Sequence, residues 1–170
     1  MTTRNRTLAI MISAVAVLAG VMVAKPSPIY IWNGSESVPA GLYRVRTAST
    51  HYVSELVAIQ PPEPLATYLD RNGYLPTGVP MLKRVLAHPG QTVCRNGSTI
   101  AVDGIAMGEA RERDRRGRAL PVWEGCYVVG EGQLFLMNWQ SANSLDGRYF
   151  GMMPAKAIVG RALPVWTRDD

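Results

Sequence analysis

The chain has 170 residues, enough for one domain with a true hydrophobic core and too few for a second catalytic domain beside it. Its net charge of +5 is modest, and Arg4 and Arg6 supply two of those units. Two histidines and two cysteines, with no Cys-rich spacing and no His-Glu-x-x-His run, exclude the common metal-ligand motifs, so neither metal nor cofactor is expected.

Residues 7–24 contain only apolar or small uncharged side chains and follow a tip that carries arginines but no acid. At helical rise this stretch measures about 27 Å, close to the roughly 30 Å hydrocarbon core of a bilayer. It predicts a single transmembrane helix that keeps its arginines in the cytoplasm and exports everything after it. The competing reading is a cleaved signal peptide, for which Val17-Leu18-Ala19 offers a small-residue cleavage signal. Two segments follow: residues 1–24 as tip and anchor, and residues 25–170 as an exported domain. In a Gram-negative host the expected location is the inner membrane with the domain in the periplasm, a cleaved soluble periplasmic form being the alternative.

Pro26, Pro28 and Gly34 end the apolar helix. Strand-like patches of Tyr, Val, Leu and Ile come next at residues 41–45 and 52–60. Pro61, Pro62 and Pro64 interrupt them, and a short helix is expected over residues 65–69 before the Arg71-Asn72-Gly73 turn. Further strands are expected at 81–87, 92–94, 99–102, 127–129, 134–137 and 157–159, with Asn96-Gly97 as a turn between neighbours. Repeated short apolar patches with Gly and Pro punctuation predict a mainly β domain.

Residues 104–123 read as a charged loop or insertion within it. Residues 109–118 hold five arginines together with Glu109, Glu112 and Asp114, a mixture expected of a solvated loop. Without aromatic interleaving or a recognition helix, no specific nucleic-acid binding is expected. Cys94 and Cys126 lie in the exported part, where a disulfide is favoured over two buried thiols. His51 and His88 read as surface or local hydrogen-bonding groups.

Three blocks carry the candidate chemistry. The first is Asn33-Gly34-Ser35-Glu36-Ser37-Val38-Pro39, the second Met81-Leu82-Lys83-Arg84-Val85-Leu86-Ala87-His88-Pro89-Gly90, and the third Ser144-Leu145-Asp146-Gly147-Arg148-Tyr149-Phe150-Gly151. A serine hydroxyl is a poor nucleophile until a base removes its proton, and an ordinary lysine is already protonated near neutral pH. An apolar setting lowers the lysine pKa by disfavouring its charged form, and Leu82, Val85 and Leu86 are the apolar neighbours nearest in sequence.

In their order and together with the N-terminal apolar segment, these blocks resemble the conjugative-transfer signal peptidases, the TraF-like branch of the signal peptidase superfamily (serine peptidase family S26). The lead-in Asn138-Trp139-Gln140-Ser141-Ala142-Asn143 lacks the Gly-Asp-Asn-Arg pattern of housekeeping type I enzymes, and Val38 stands where they carry methionine. The resemblance implies an antiparallel β-sheet or coiled β-barrel of signal-peptidase type with an N-terminal transmembrane helix. It implies a serine endopeptidase in which Ser37 is the nucleophile, Lys83 the general base, Ser35 an oxyanion donor and Ser144 an orienting partner of the lysine. Asp146 and Arg148 would support the site as an ion pair. The implied substrate is an exported pilin precursor, matured by cleavage and in some family settings by cyclisation. The implied partners are inner-membrane lipid and conjugative secretion or pilus assembly proteins. A general type I signal peptidase and a noncatalytic pilus assembly or peptide-binding protein remain the alternatives.

Overall fold

A computed structural model describes residues 3–24 and 28–168. The boundary expected between residues 24 and 25 adjoins residues 25–27, which lie outside the described residues. The first element is helix α1 (Thr3–Ala24). The rest is mainly β: β1 (Tyr30–Asn33), β2 (Gly41–Arg46), β3 (Leu56–Ile59), helix α2 (Leu65–Arg71), β4 (Met81–Ala87), β5 (Thr92–Asn96), β6 (Thr99–Val102), β7 (Ile105–Glu109), β8 (Gly125–Val128), β9 (Gln133–Leu136), helix α3 (Gly147–Phe150), β10 (Met152–Pro154) and β11 (Ile158–Thr167).

A seven-stranded sheet has the order β1-β2-β11-β3-β4-β9-β10, and a four-stranded sheet the order β7-β6-β5-β8, with every pairing antiparallel. Neither sheet closes. In the larger one β1 bonds only to β2 and β10 only to β9, so the two short strands remain edges. This corrects the expected coiled barrel. Closure requires the last strand to bond back to the first, and these edge strands, four and three residues long, do not meet.

The expected transmembrane helix and inner-membrane location are corrected too. Among the described residues no helix is long and apolar enough to cross a membrane. The first turn of α1 carries Arg4 and Arg6, and its uncharged remainder is about 27 Å, short of the roughly 30 Å hydrocarbon core.

The core divides along the strands. One buried cluster joins Val38, Tyr43, Val45, Leu56, Ala58, Leu82 and Ala162, and a second joins Val57, Ile59, Val85, Leu134, Leu136 and Met153 on the other strand face. A third, built from Leu86, Val93, Ile100, Val129, Phe135 and Met137, ties the two sheets together. The hairpin between β5 and β6 turns at Gly97, whose φ of 59° is the left-handed conformation a tight turn needs. Cys94 and Cys126 sit opposite each other on β5 and β8 and are joined by a disulfide. The charged segment is shorter than its composition suggests, because its first part forms β7 against β6.

Candidate active site

Ser37 lies on a turn after β1, half-buried, and Asn33 shapes that turn. The buried Asn33 side chain donates through Nδ2 to the carbonyls of Ser35 (2.9 Å), Val38 (2.9 Å) and Pro39 (3.2 Å). Its Oδ1 accepts from the Ser35 hydroxyl at 2.8 Å and the Ser35 amide at 3.2 Å. An amide side chain that replaces backbone partners in this way is what allows a short loop to leave the edge of a sheet with its polar groups satisfied. The Ser37 amide donates to Ser35 Oγ at 3.4 Å. Ser35, the expected oxyanion donor, is therefore adjacent to the Ser37 amide, and its hydroxyl proton is held by Asn33 Oδ1.

Lys83 is on β4, opposite Val57, and by strand alternation shares a face with Met81 and Val85 rather than with Leu82. It is 3% exposed, and its Nζ donates to Ser144 Oγ at 2.8 Å. Ser144 Oγ also accepts from Asn138 Nδ2 at 3.3 Å. Asn138 is fixed in turn across β4, donating to the Leu82 carbonyl at 3.1 Å and accepting from the Arg84 amide at 2.9 Å. Burial is the leading influence on Lys83 and pulls its pKa down from 10.5 to about 8. The Asp146 carboxylate raises it and the Arg148 guanidinium lowers it, so these two oppose each other. At a pKa of about 8, roughly a tenth of the amine is neutral at pH 7, against about 0.03% at 10.5.

Asp146 and Arg148 form a buried ion pair with two contacts, Arg148 Nε to Oδ1 at 2.9 Å and Nη2 to Oδ2 at 3.0 Å. Arg148 also donates to the Ser141 carbonyl at 2.7 Å and the Ser144 carbonyl at 3.1 Å, and Asp146 accepts from the Asn138 amide at 3.0 Å. The pair thereby fixes the backbone on both sides of Ser144. Gly147 between them is required by packing: a Cβ there would lie 2.7 Å from the Leu136 carbonyl oxygen. Behind the pair, buried Arg95 donates to the Arg148 carbonyl at 2.6 Å.

Among the described residues no hydrogen bond joins Ser37 to Lys83, whose side chain bonds to Ser144. Val38 belongs to the same apolar cluster as Leu82, and Glu36 accepts at 3.4 Å from Asn143, the neighbour of Ser144. A cleft of about 510 Å³ opens over the turn, lined by Ser35, Glu36 and Ser37 on one side and by Arg111, Arg113, Asp114, Arg115, Arg116 and Arg118 on the other.

Sequence reasoning passed over Asn33 and Asn138. An asparagine directly before Gly-Ser is a turn signal that pointed to the first; nothing local marks the second, whose partners are 54 and 56 positions away. Trp139 is half-buried against the cluster between the sheets, with the Arg84 guanidinium 6.0 Å from its ring centre. Phe150 packs between two clusters as a core residue.

The family model for "Signal peptidase, peptidase S26" matches residues 3–167. The chain is 36% identical over 165 residues to a conjugal transfer protein TraF of Agrobacterium fabrum, covering 90% of this chain and 91% of that one. It is 29% identical over 168 residues to a plasmid transfer protein TraF of Escherichia coli, covering 94% and 90%. A probable signal peptidase I-1 of Synechocystis is 32% identical over 123 residues, covering 70% of this chain and 58% of that one. The chain belongs to the signal peptidase family, peptidase S26, and is an enzyme of the serine-peptidase type.

Proposed function

We propose that this enzyme cuts exported precursor peptides with a Ser37/Lys83 pair, and that its physiological substrate is a pilin precursor of a conjugative-transfer system. The observation that carries the catalytic part is Lys83, a buried amine held 2.8 Å from Ser144 Oγ, with a pKa lowered to about 8. A lysine in such a setting serves as a base at a pH where an ordinary lysine does not. The relatives named as conjugal and plasmid transfer proteins support the narrower substrate assignment.

In the proposed reaction, neutral Lys83 takes the Ser37 hydroxyl proton as Oγ attacks the scissile carbonyl carbon. The carbonyl π pair moves to oxygen, and the Ser37 amide leaves Ser35 Oγ and the Ser35 hydroxyl leaves Asn33 Oδ1 to donate to that oxyanion. Collapse breaks the C–N bond, the Lys83 ammonium protonates the departing amine, and an acyl ester remains on Ser37. Lys83 then deprotonates a water that attacks the ester, and Ser37 recovers its proton. Attack by a peptide amine in place of water gives cyclisation by the same steps. By donating to Ser144, Nζ keeps its lone pair free for Ser37. Catalytic hydrogen bonds often tighten only when substrate is bound, and the Ser37–Lys83 approach is assigned to that stage.

The second reading is a general signal peptidase, favoured by the description of the matched family and by the Synechocystis relative. Purified full chain incubated with the pilin precursor from its own host and with unrelated preproteins separates the two. Selective cleavage of the pilin precursor supports the narrow reading, and equal cleavage across the panel replaces it with the general one. Product masses distinguish a linear from a cyclic product, which differ by one water.

A further inference from the structure

The segment expected to be a solvated loop has a built shape and forms one wall of the cleft above Ser37. Its tip is closed by an antiparallel bridge between Arg113 and Ala119. Asp114 pins it from inside, accepting from the Arg116 amide (2.8 Å), the Arg118 amide (2.9 Å), Arg118 Nε (2.7 Å) and the Tyr74 hydroxyl (2.6 Å). The Tyr74 bond ties the tip to the chain following α2, and Arg118 Nη1 adds a 2.6 Å bond to the Asn72 carbonyl. The other end reaches the Ser37 turn, where Arg115 pairs with Glu36 and Arg111 donates to Asn143 Oδ1 at 2.6 Å.

The charges do not balance within this cleft. Five arginines line it against two carboxylates, Glu36 and Asp114. Arg115 and Arg118 take those two. Arg111, Arg113 and Arg116 are exposed and have no carboxylate partner among the described residues. Arg111 and Arg113 each spend one N–H on a neutral oxygen, and most of each guanidinium fork is free. Cationic forks held on a braced loop beside the candidate nucleophile favour a carboxylate on whatever peptide lies there.

We propose that Arg111, Arg113 and Arg116 form a selectivity subsite that takes a carboxylate of the peptide substrate close to its scissile bond. The proposal rests on the reading of Ser37 and its cleft as a peptide-cutting site. Asp114, Tyr74 and Arg118 act as positioning residues that brace the wall, and Glu36 neutralises Arg115 so that the attraction is directed to the other three. The subsite disfavours a lysine at the same substrate position by like-charge repulsion.

The test uses C-terminally amidated peptides with an Ala-x-Ala cleavage signal, in which Glu, Ala or Lys is placed singly at each of the six positions around the scissile bond. One free-acid peptide tests the terminal carboxylate as the alternative source. The expected result is one position at which kcat/KM for Glu exceeds that for Lys by about tenfold or more at low salt, the ratio falling several-fold at 0.5 M NaCl. In R113Q/R116Q the ratio falls toward one, whereas R46Q, an exposed arginine on β2 away from the cleft, retains it. Equal cleavage of Glu and Lys peptides, or a preference that persists in R113Q/R116Q, overturns the subsite. Binding of the same peptides to S37A by fluorescence anisotropy reads the preference without turnover. A Glu preference in binding with no cleavage by wild type supports the subsite and overturns the peptidase reading, and equal binding overturns the subsite whatever the cleavage result.

Discussion

Lys83→Met is expected to lower kcat/KM by at least about a thousandfold while raising stability at pH 7. The activity loss is that of removing a general base with no second base beside it. The stability gain follows from burial: the folded-state pKa of about 8 lies below the ordinary lysine value of 10.5, so at pH 7 the fold carries a cost of about 3 kcal/mol for holding the charged amine. Methionine fills similar volume without charge, and Ser144 keeps its contact with Asn138, leaving a net gain of about 2 kcal/mol after the lost hydrogen bond. The sign depends on pH. Between about 8 and 10.5 the unfolded chain binds a proton that the folded chain does not, so wild-type stability rises through that window and the advantage of K83M disappears above it. Urea midpoints at pH 7 and pH 10.5 read this directly; a variant less stable than wild type at pH 7 contradicts the assignment of burial as the dominant influence. For wild type, kcat/KM is expected to rise about tenfold per pH unit up to about 8 and then level off.

Arg148→Met is expected to have the largest effect on the fold. Asp146 is 1% exposed and Arg148 2% exposed, so removing the guanidinium strands a buried carboxylate and frees the Ser141 and Ser144 carbonyls. Breaking one side of a buried pair costs about 3–5 kcal/mol. Because Arg148 also counters the rise that Asp146 imposes on Lys83, any folded R148M has its pH–rate inflection moved upward. The double variant D146N/R148M removes both charges and is expected to recover more than half of the lost stability, which a double-mutant cycle in urea measures. A loss below about 1 kcal/mol in R148M contradicts a structural role for the pair.

The legible parts of this molecule were those whose cause is local. The run from Met81 to Ala87 is a short apolar patch stopped by Pro89-Gly90, and it forms β4; Asn96-Gly97 turns because its glycine reaches positive φ. The short strands β1, β7 and β10 went unread because edge pairing, not composition, makes them strands. Barrel closure failed for the same reason, since it depends on edges that never meet. The N-terminal helix was visible, but a span needs apolar length beyond the arginine-bearing first turn, and that length falls short.

At the candidate site, Ser37, Lys83 and Ser144 could be named by resemblance, yet their setting could not. A lysine is ordinarily solvated, and the burial of Lys83 arises from strands β3 and β9 and from Ser144, 61 positions away. The arginine-rich segment read as solvent-facing because its braces, Tyr74 and Asn72, lie some 40 positions upstream. Composition cannot report a contact made at that distance.

The most direct measurement compares wild type with Ser37→Ala in a mass-resolved cleavage assay on the pilin precursor and the Ala-x-Ala peptides, with folding verified by the urea midpoint. The expected result is product from wild type and none from S37A across the panel, at equal stability. Product from S37A at the wild-type rate contradicts the Ser37 nucleophile and the Ser/Lys mechanism with it.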